Sequence, residues 1–81
     1  MQIQQRIEFN SKPKPLTATE TTLVRDAVDR MSEMKFGSIV ATGADGKMSG
    51  LFTERDLLNR VVARGLDPEK TQLKDVMTTQ L

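Results

Sequence analysis

Thr53 and Asp56 are the pair best suited to chemistry. They stand three residues apart in "GLFTERD", residues 50–56. A hydroxyl three positions ahead of a carboxylate at a helix start has two uses. In the first it is a capping box, each side chain accepting from the other residue's backbone N–H. Asp suits that role less well than Glu or Gln, being one methylene shorter. In the second the same place holds a ligand. A helix N-terminus offers free N–H groups and a positive dipole end, which attract phosphate. A Thr hydroxyl there can donate to a phosphate oxygen or bond a ribose oxygen. A carboxylate one turn on can accept from the vicinal hydroxyls of ribose, as an acidic residue does in dinucleotide-binding folds. The spacing alone leaves both uses open. Arg55 lies between them, where a cation opposes the helix dipole at a penalty of roughly 0.3–1 kcal/mol. That penalty hints at phosphate contact; the plainer use is an exposed side chain paired with Glu54 or Asp56.

Composition narrows what such a site can do. The chain has 81 residues, with 37% hydrophobic and 28% charged, the profile of one small globular domain. A domain of that size buries only roughly 60–65% of its unfolded surface, so partners or ligands matter to its stability. Twelve basic residues face 11 acidic ones, net +1, which gives no general attraction to nucleic acid or an anionic membrane. Cys, His, Trp and Tyr are absent. Disulfides, thiolate metal sites and imidazole chemistry are therefore excluded. An enzyme would need a carboxylate or Lys mechanism, and no carboxylate pair is placed to suggest one. No apolar run approaches a membrane span of ~20 residues, and "MQIQQRIEF" has no signal-peptide core. The expectation is a cytoplasmic chain with no obligatory cofactor and neither nucleic acid nor membrane as partner.

The elements that must position Thr53 and Asp56 can be read from periodicity. Residues 1–10 fit neither helix nor strand period, and "SKPKP", residues 11–15, reads as an extended linker. A short strand is expected at 16–18. "TETTLVRDAVDRMSEMK" reads as a helix with Leu23, Val24, Ala27, Val28, Met31 and Met34 on a buried face. Thr22 is its expected N-cap, and its end is expected near Lys35, before Gly37. "GSIVAT" and "MSGLFT" form the strands of a hairpin turned by Asp45-Gly46. "ERDLLNRVVAR" is the second helix, with Leu57, Leu58, Val61 and Val62 on one face and Gly65 beyond its end. Pro68 can start a short helical turn, and "QLKDVMTTQL" carries no recognisable stop. The class is α+β or α/β, with helices covering one sheet face.

This order, with Ala27, Met31, "FGSIVAT", "DGKMSGLFTERDLLNRVVARG" and "LKDVMT", resembles the CBS domain, named after cystathionine β-synthase. The resemblance runs from about residue 16 to 78. It implies an α+β fold of β-α-β-β-α order, a small three-stranded sheet with two helices on one face. Residues 1–15 would be an N-terminal extension and linker. Residues 16–81 would hold a single CBS motif and the start of the connection to a second. Such motifs pair into a Bateman module, so the implied partner is a second CBS motif, from another copy or from a missing C-terminal half.

By the same resemblance the module is regulatory, not catalytic. It would bind an adenosine-containing ligand between paired motifs: AMP, ADP, ATP, S-adenosylmethionine or NAD. Thr53 and Asp56 would then hold phosphate or ribose. Pro15, Leu16, Ser38, Ile39 and Val40 would line the adenine slot, although Leu16, Ile39 and Val40 also suit ordinary core. Ser11 joins the candidate contacts. Lys12 and Lys14 either reach a phosphate or stay solvated. On this reading Asp56→Ala weakens ligand far more than fold, because an N3 cap contributes only some tenths to about 1 kcal/mol. The alternative is a purely structural dimerisation domain with an empty cleft. The apolar helix stripes, with Met31, Met34 and Met48, suit core or an adaptable interface.

Overall fold

The computed structural model describes residues 14–80. Ser11 and Lys12 lie outside the described residues. The elements are β1 (Thr17–Thr19), α1 (Val24–Met34), β2 (Ser38–Thr42) and β3 (Met48–Thr53). Then comes α2, which starts as an α-helical turn (Glu54–Asp56) and continues as a wider helix (Leu57–Val62). A short α3 (Leu73–Val76) completes the order. The expected α+β order is present, with α3 added to it.

β2 is the middle strand, parallel to β1 and antiparallel to β3. The chain needs α1 to return from β1 to a parallel neighbour, whereas β2 and β3 need only a tight turn. That turn places Gly46 at φ 79, a left-handed conformation that glycine adopts without strain. Register pairs Ile39 with Phe52 and Ala41 with Gly50. These four face one way and are buried. They meet Val24, Ala27 and Met31 of α1 and Val61 of α2, so both helices cover the same sheet face. Gly50 makes room for Met77: a Cβ there would stand 2.6 Å from the Met77 sulfur and 2.8 Å from its Cγ, so that side chain would have to move.

Several sequence expectations change. Val40 is only half-buried, because the period of two turns it away from Ile39 and Ala41. Of the two uses open to the apolar helix stripes, core or interface, Leu58, Val62 and Met34 are not core, being 60%, 61% and 54% exposed. α2 is also wound wider than an α-helix over Leu57–Val62, Ala63 donating to the Leu58 carbonyl five residues back at 2.9 Å.

Thr22 does not cap α1. The N-cap is Leu23, which makes no side-chain cap bond, while the Thr22 hydroxyl meets that of Thr19 at 3.1 Å. The first N–H groups of α1 find backbone partners from far along the chain. Val24 donates to the Thr71 carbonyl at 2.8 Å and Arg25 to that of Pro68 at 3.0 Å. The C-terminal segment does have a stop. α3 buries Leu73 and Val76, Met77 leaves the helix with extended backbone, and Thr78 pairs with Leu51 beside β3.

Candidate functional site

Parallel pairing of β1 with β2 and antiparallel pairing of β2 with β3 gather three strand ends at one end of the sheet. These are the start of β1, the start of β2 and the end of β3. Leu16, Ser38 and Thr53 are therefore neighbours by construction: the Leu16 carbonyl accepts from Val40 N–H at 2.8 Å, and Ser38 is registered against Thr53. Leu16 and Ile39 are buried in the core, Ser38 and Thr53 are half-buried, and Pro15 and Arg55 are exposed. Lys14 is exposed too. Among the described residues Arg55 makes no ion pair with Glu54 or Asp56.

Thr53 ends β3 with extended backbone, φ −119 and ψ 169, and caps α2. The capping box is formed. Thr53 Oγ1 accepts from Asp56 N–H at 3.2 Å, and Asp56 Oδ2 accepts from Thr53 N–H at 3.1 Å. The Thr53 hydroxyl also donates to Oδ2 at 3.2 Å. Another N–H at this helix start is used as well, Glu54 donating to the Gly37 carbonyl at 3.1 Å.

Two residues that the sequence did not single out complete the cluster. Thr78 Oγ1 donates to Asp56 Oδ1 at 3.0 Å and Oδ2 at 3.2 Å. Arg60 Nε lies 3.4 Å from Oδ1, while its Nη1 donates to the Met77 carbonyl at 3.2 Å. Asp56 is only 5% exposed, and it is the buried charged residue among those described. A carboxylate out of water is tolerated only when paired and hydrogen-bonded. Here backbone, two hydroxyls and a guanidinium meet that demand. Arg60 carried a readable signal, since residues four apart on a helix are neighbours. Thr78, 22 residues away, carried none. These partners also correct the small stability role expected of Asp56: its removal strands several polar groups at once.

A separate groove of about 440 Å³ opens between α1 and α2. Val28, Met31, Phe36 and Leu57 give it an apolar floor, with Ser32, Lys35 and Glu54 also lining it. None of the candidate ligand residues lines this groove. Thr53 and Asp56 stand together at the end of the sheet, apart from this groove. Among the described residues no helix is long and apolar enough to cross a membrane.

The CBS domain family model matches residues 7–63, well over half of the chain. A CBS domain-containing protein of Arabidopsis thaliana, CBSCBSPB2, is 40% identical over 65 residues, covering 80% of this chain and 12% of that protein. The chain thus spans about an eighth of that relative. A solved conserved protein from Pyrococcus horikoshii has 32% identity and a TM-score of 0.79, over 93% of this chain and 56% of that one. A CBS domain protein from Pyrobaculum aerophilum, solved in complex with AMP, has 25% identity and a TM-score of 0.76, over 85% of this chain and 53% of that one. The family model, the Arabidopsis relative and the Pyrobaculum neighbour agree, and this chain belongs to the CBS domain family.

Proposed function

We propose that the chain is a non-catalytic regulatory module that takes an adenosine-containing nucleotide at the Thr53–Asp56 end of the sheet once a second CBS motif closes the cleft. The observation that carries this reading is a buried carboxylate beside a hydroxyl at a strand-to-helix junction, in a family where the Pyrobaculum aerophilum neighbour is complexed with AMP. Asp56 would accept from the ribose hydroxyls, and Leu16, Pro15, Ser38 and Ile39 would border the base. Arg55, being exposed, can turn to a phosphate; Ser11 is a further candidate contact. Leu58, Val62 and the groove beside α1 offer the apolar surface for pairing with that second motif. Residues 1–15 act as extension and linker, residues 16–81 as the motif and its exit, and the module works in the cytoplasm.

A thermal shift screen with AMP, ADP, ATP, S-adenosylmethionine and NAD tests this. A ligand at 100 times its dissociation constant adds about 2.7 kcal/mol, which for a domain this small is a rise of roughly 10 °C or more. One observation favours a second reading, the structural pairing domain. The Asp56 oxygens already have internal partners, and Glu54 and Asp56 N–H are already bonded. A chain that sediments as a dimer and melts at one temperature with all five ligands would establish that second reading.

A further inference from the structure

We propose that Thr78 is a latch on the ligand site: its hydroxyl holds the Asp56 carboxylate, a bound ribose displaces it, and the chain leaving the domain is released as the site fills. This rests on the nucleotide reading above. Acceptor capacity sets the competition. A carboxylate offers about four lone-pair directions. Thr53 N–H and the Thr53 hydroxyl take Oδ2, Arg60 Nε faces Oδ1, and the single Thr78 proton is shared between the two oxygens. Arg60 Nε, at 3.4 Å, is an ion-pair contact and not a hydrogen-bond donor here, so three donors hold the carboxylate; the two of a ribose diol would make five, and one present partner must leave.

Only one of them can leave without unmaking the helix. Thr53 and Arg60 are three and four residues from Asp56, built into the start of α2 and its junction with β3. Thr78 arrives from 22 residues away. Its remaining ties are two backbone bonds with Leu51, each residue's N–H donating to the other's carbonyl at 2.8 Å. Beyond it Thr79 and Gln80 are exposed. Before it Met77 is buried against Gly50, and α3 is anchored by Leu73 and Val76. Release is therefore confined to Thr78 and the residues after it. Ligand at Asp56 and attachment at Leu51 become competing states of one short segment, and occupancy changes the direction in which the chain exits.

The test uses the full chain, AMP as probe, and Thr78→Val and Thr78→Ser. Amide hydrogen exchange at Leu51 and Thr78 reads the latch, and the Val24 amide, bonded to Thr71, reports the intact fold. Calorimetric titration gives the affinities. AMP is expected to speed exchange at Leu51 and Thr78 in the unmutated chain while Val24 stays protected. Thr78→Val is expected to exchange fast there without AMP and to bind AMP about tenfold tighter, because the competing bond to a charged group is gone. Thr78→Ser should match the unmutated chain. If AMP binds but slows or leaves those two amides unchanged, or if Thr78→Val binds no tighter, the latch is overturned and the nucleotide site survives. If AMP binds neither the unmutated chain nor Thr78→Val, nucleotide reading and latch fall together.

Discussion

α1 and α2 sit on the same sheet face and end alike, yet their beginnings are made in opposite ways. α2 starts on its own sequence, with the Thr53–Asp56 box bonding its first turn. α1 starts on borrowed backbone, the carbonyls of Pro68 and Thr71 more than 40 residues downstream. One start is local and forms as soon as the turn does. The other exists only when the C-terminal segment is docked. The local start is also the candidate ligand site, so whatever binds Asp56 acts on a helix already nucleated. The borrowed start couples α1 to residues 68–78, the same segment whose end reaches Asp56.

The strongest way to break this contrast is Leu73→Ala. Leu73 is fully buried, and its N–H donates to the Thr22 carbonyl at 2.9 Å just ahead of α1. Truncation of a buried Leu costs about 2–5 kcal/mol. For a domain of marginal size that is a large share of its stability. Denaturant unfolding should show the loss, and exchange at Val24 and Arg25 should rise before that at Asp56. Equal loss of protection at both helix starts would mean that α1 is not specifically dependent on the docked segment.

Asp56→Ala should come next. It leaves Thr53 N–H and the Thr78 hydroxyl without their acceptor and strips Arg60 of its counter-charge. An unsatisfied buried donor costs about 1–3 kcal/mol. The fold effect is therefore of the same order as the expected ligand effect, and calorimetry alone cannot separate them. Comparing Asp56→Ala with Asp56→Asn at equal distance below each melting point does. Asn keeps one carbonyl oxygen for the capping bond but offers no charge to a ribose diol.

Thr53→Ala and Thr22→Ala compare the two starts directly. Loss of the Thr53 cap should cost about 1 kcal/mol. Thr22→Ala removes only a half-exposed hydroxyl pair with Thr19, and should stay within about 0.5 kcal/mol. Urea midpoints at constant slope measure both. A cost at Thr22 equal to that at Thr53 would restore the local cap that the sequence suggested.

That pair also shows what was legible. β-α-β-β-α order, the Asp45-Gly46 turn and the Thr53–Asp56 spacing are short-range patterns, and each is present in the structure. Thr22 misled because a hydroxyl ahead of an apolar-periodic run signals a cap whether or not a distant carbonyl takes the N–H groups first. Val40 misled because a three-residue apolar run hides which residues face inward until pairing fixes the register. For Leu58 and Val62 the sequence left core and partner surface both open, and an apolar stripe does not tell which of its residues the sheet covers until the helix is docked. Thr78 was invisible because its partner is set by docking of α3, not by spacing. The site's chain-local half was readable, and its long-range half was not.

The smallest expected effect concerns how the helices end. Phe36 N–H donates to the Met31 carbonyl at 2.9 Å and Lys35 to that of Ser32 at 3.3 Å. Leu66 and Gly65 repeat the pattern on Val61 and Val62, at 2.9 and 3.1 Å. Both are the double hydrogen-bonded stop whose middle residue must be left-handed. In α2 that residue is Gly65, φ 71; in α1 it is Lys35, φ 60. A side chain in that region costs roughly 1–2 kcal/mol, and glycine avoids it but loses roughly 0.5–1 kcal/mol through the freedom of the unfolded chain. Lys35→Gly should therefore stabilise the fold by about 0.5 kcal/mol, and Gly65→Ala should destabilise it by about as much. Lys35 also lines the groove between α1 and α2, so a partner seated there gives the Lys a reason to remain. Melting curves at low and high protein concentration separate these effects. A gain for Lys35→Gly at low concentration that vanishes at high concentration would assign Lys35 to the pairing surface. A gain that persists would leave it as a strained helix end, and a loss at both would show that the left-handed stop carries no strain there.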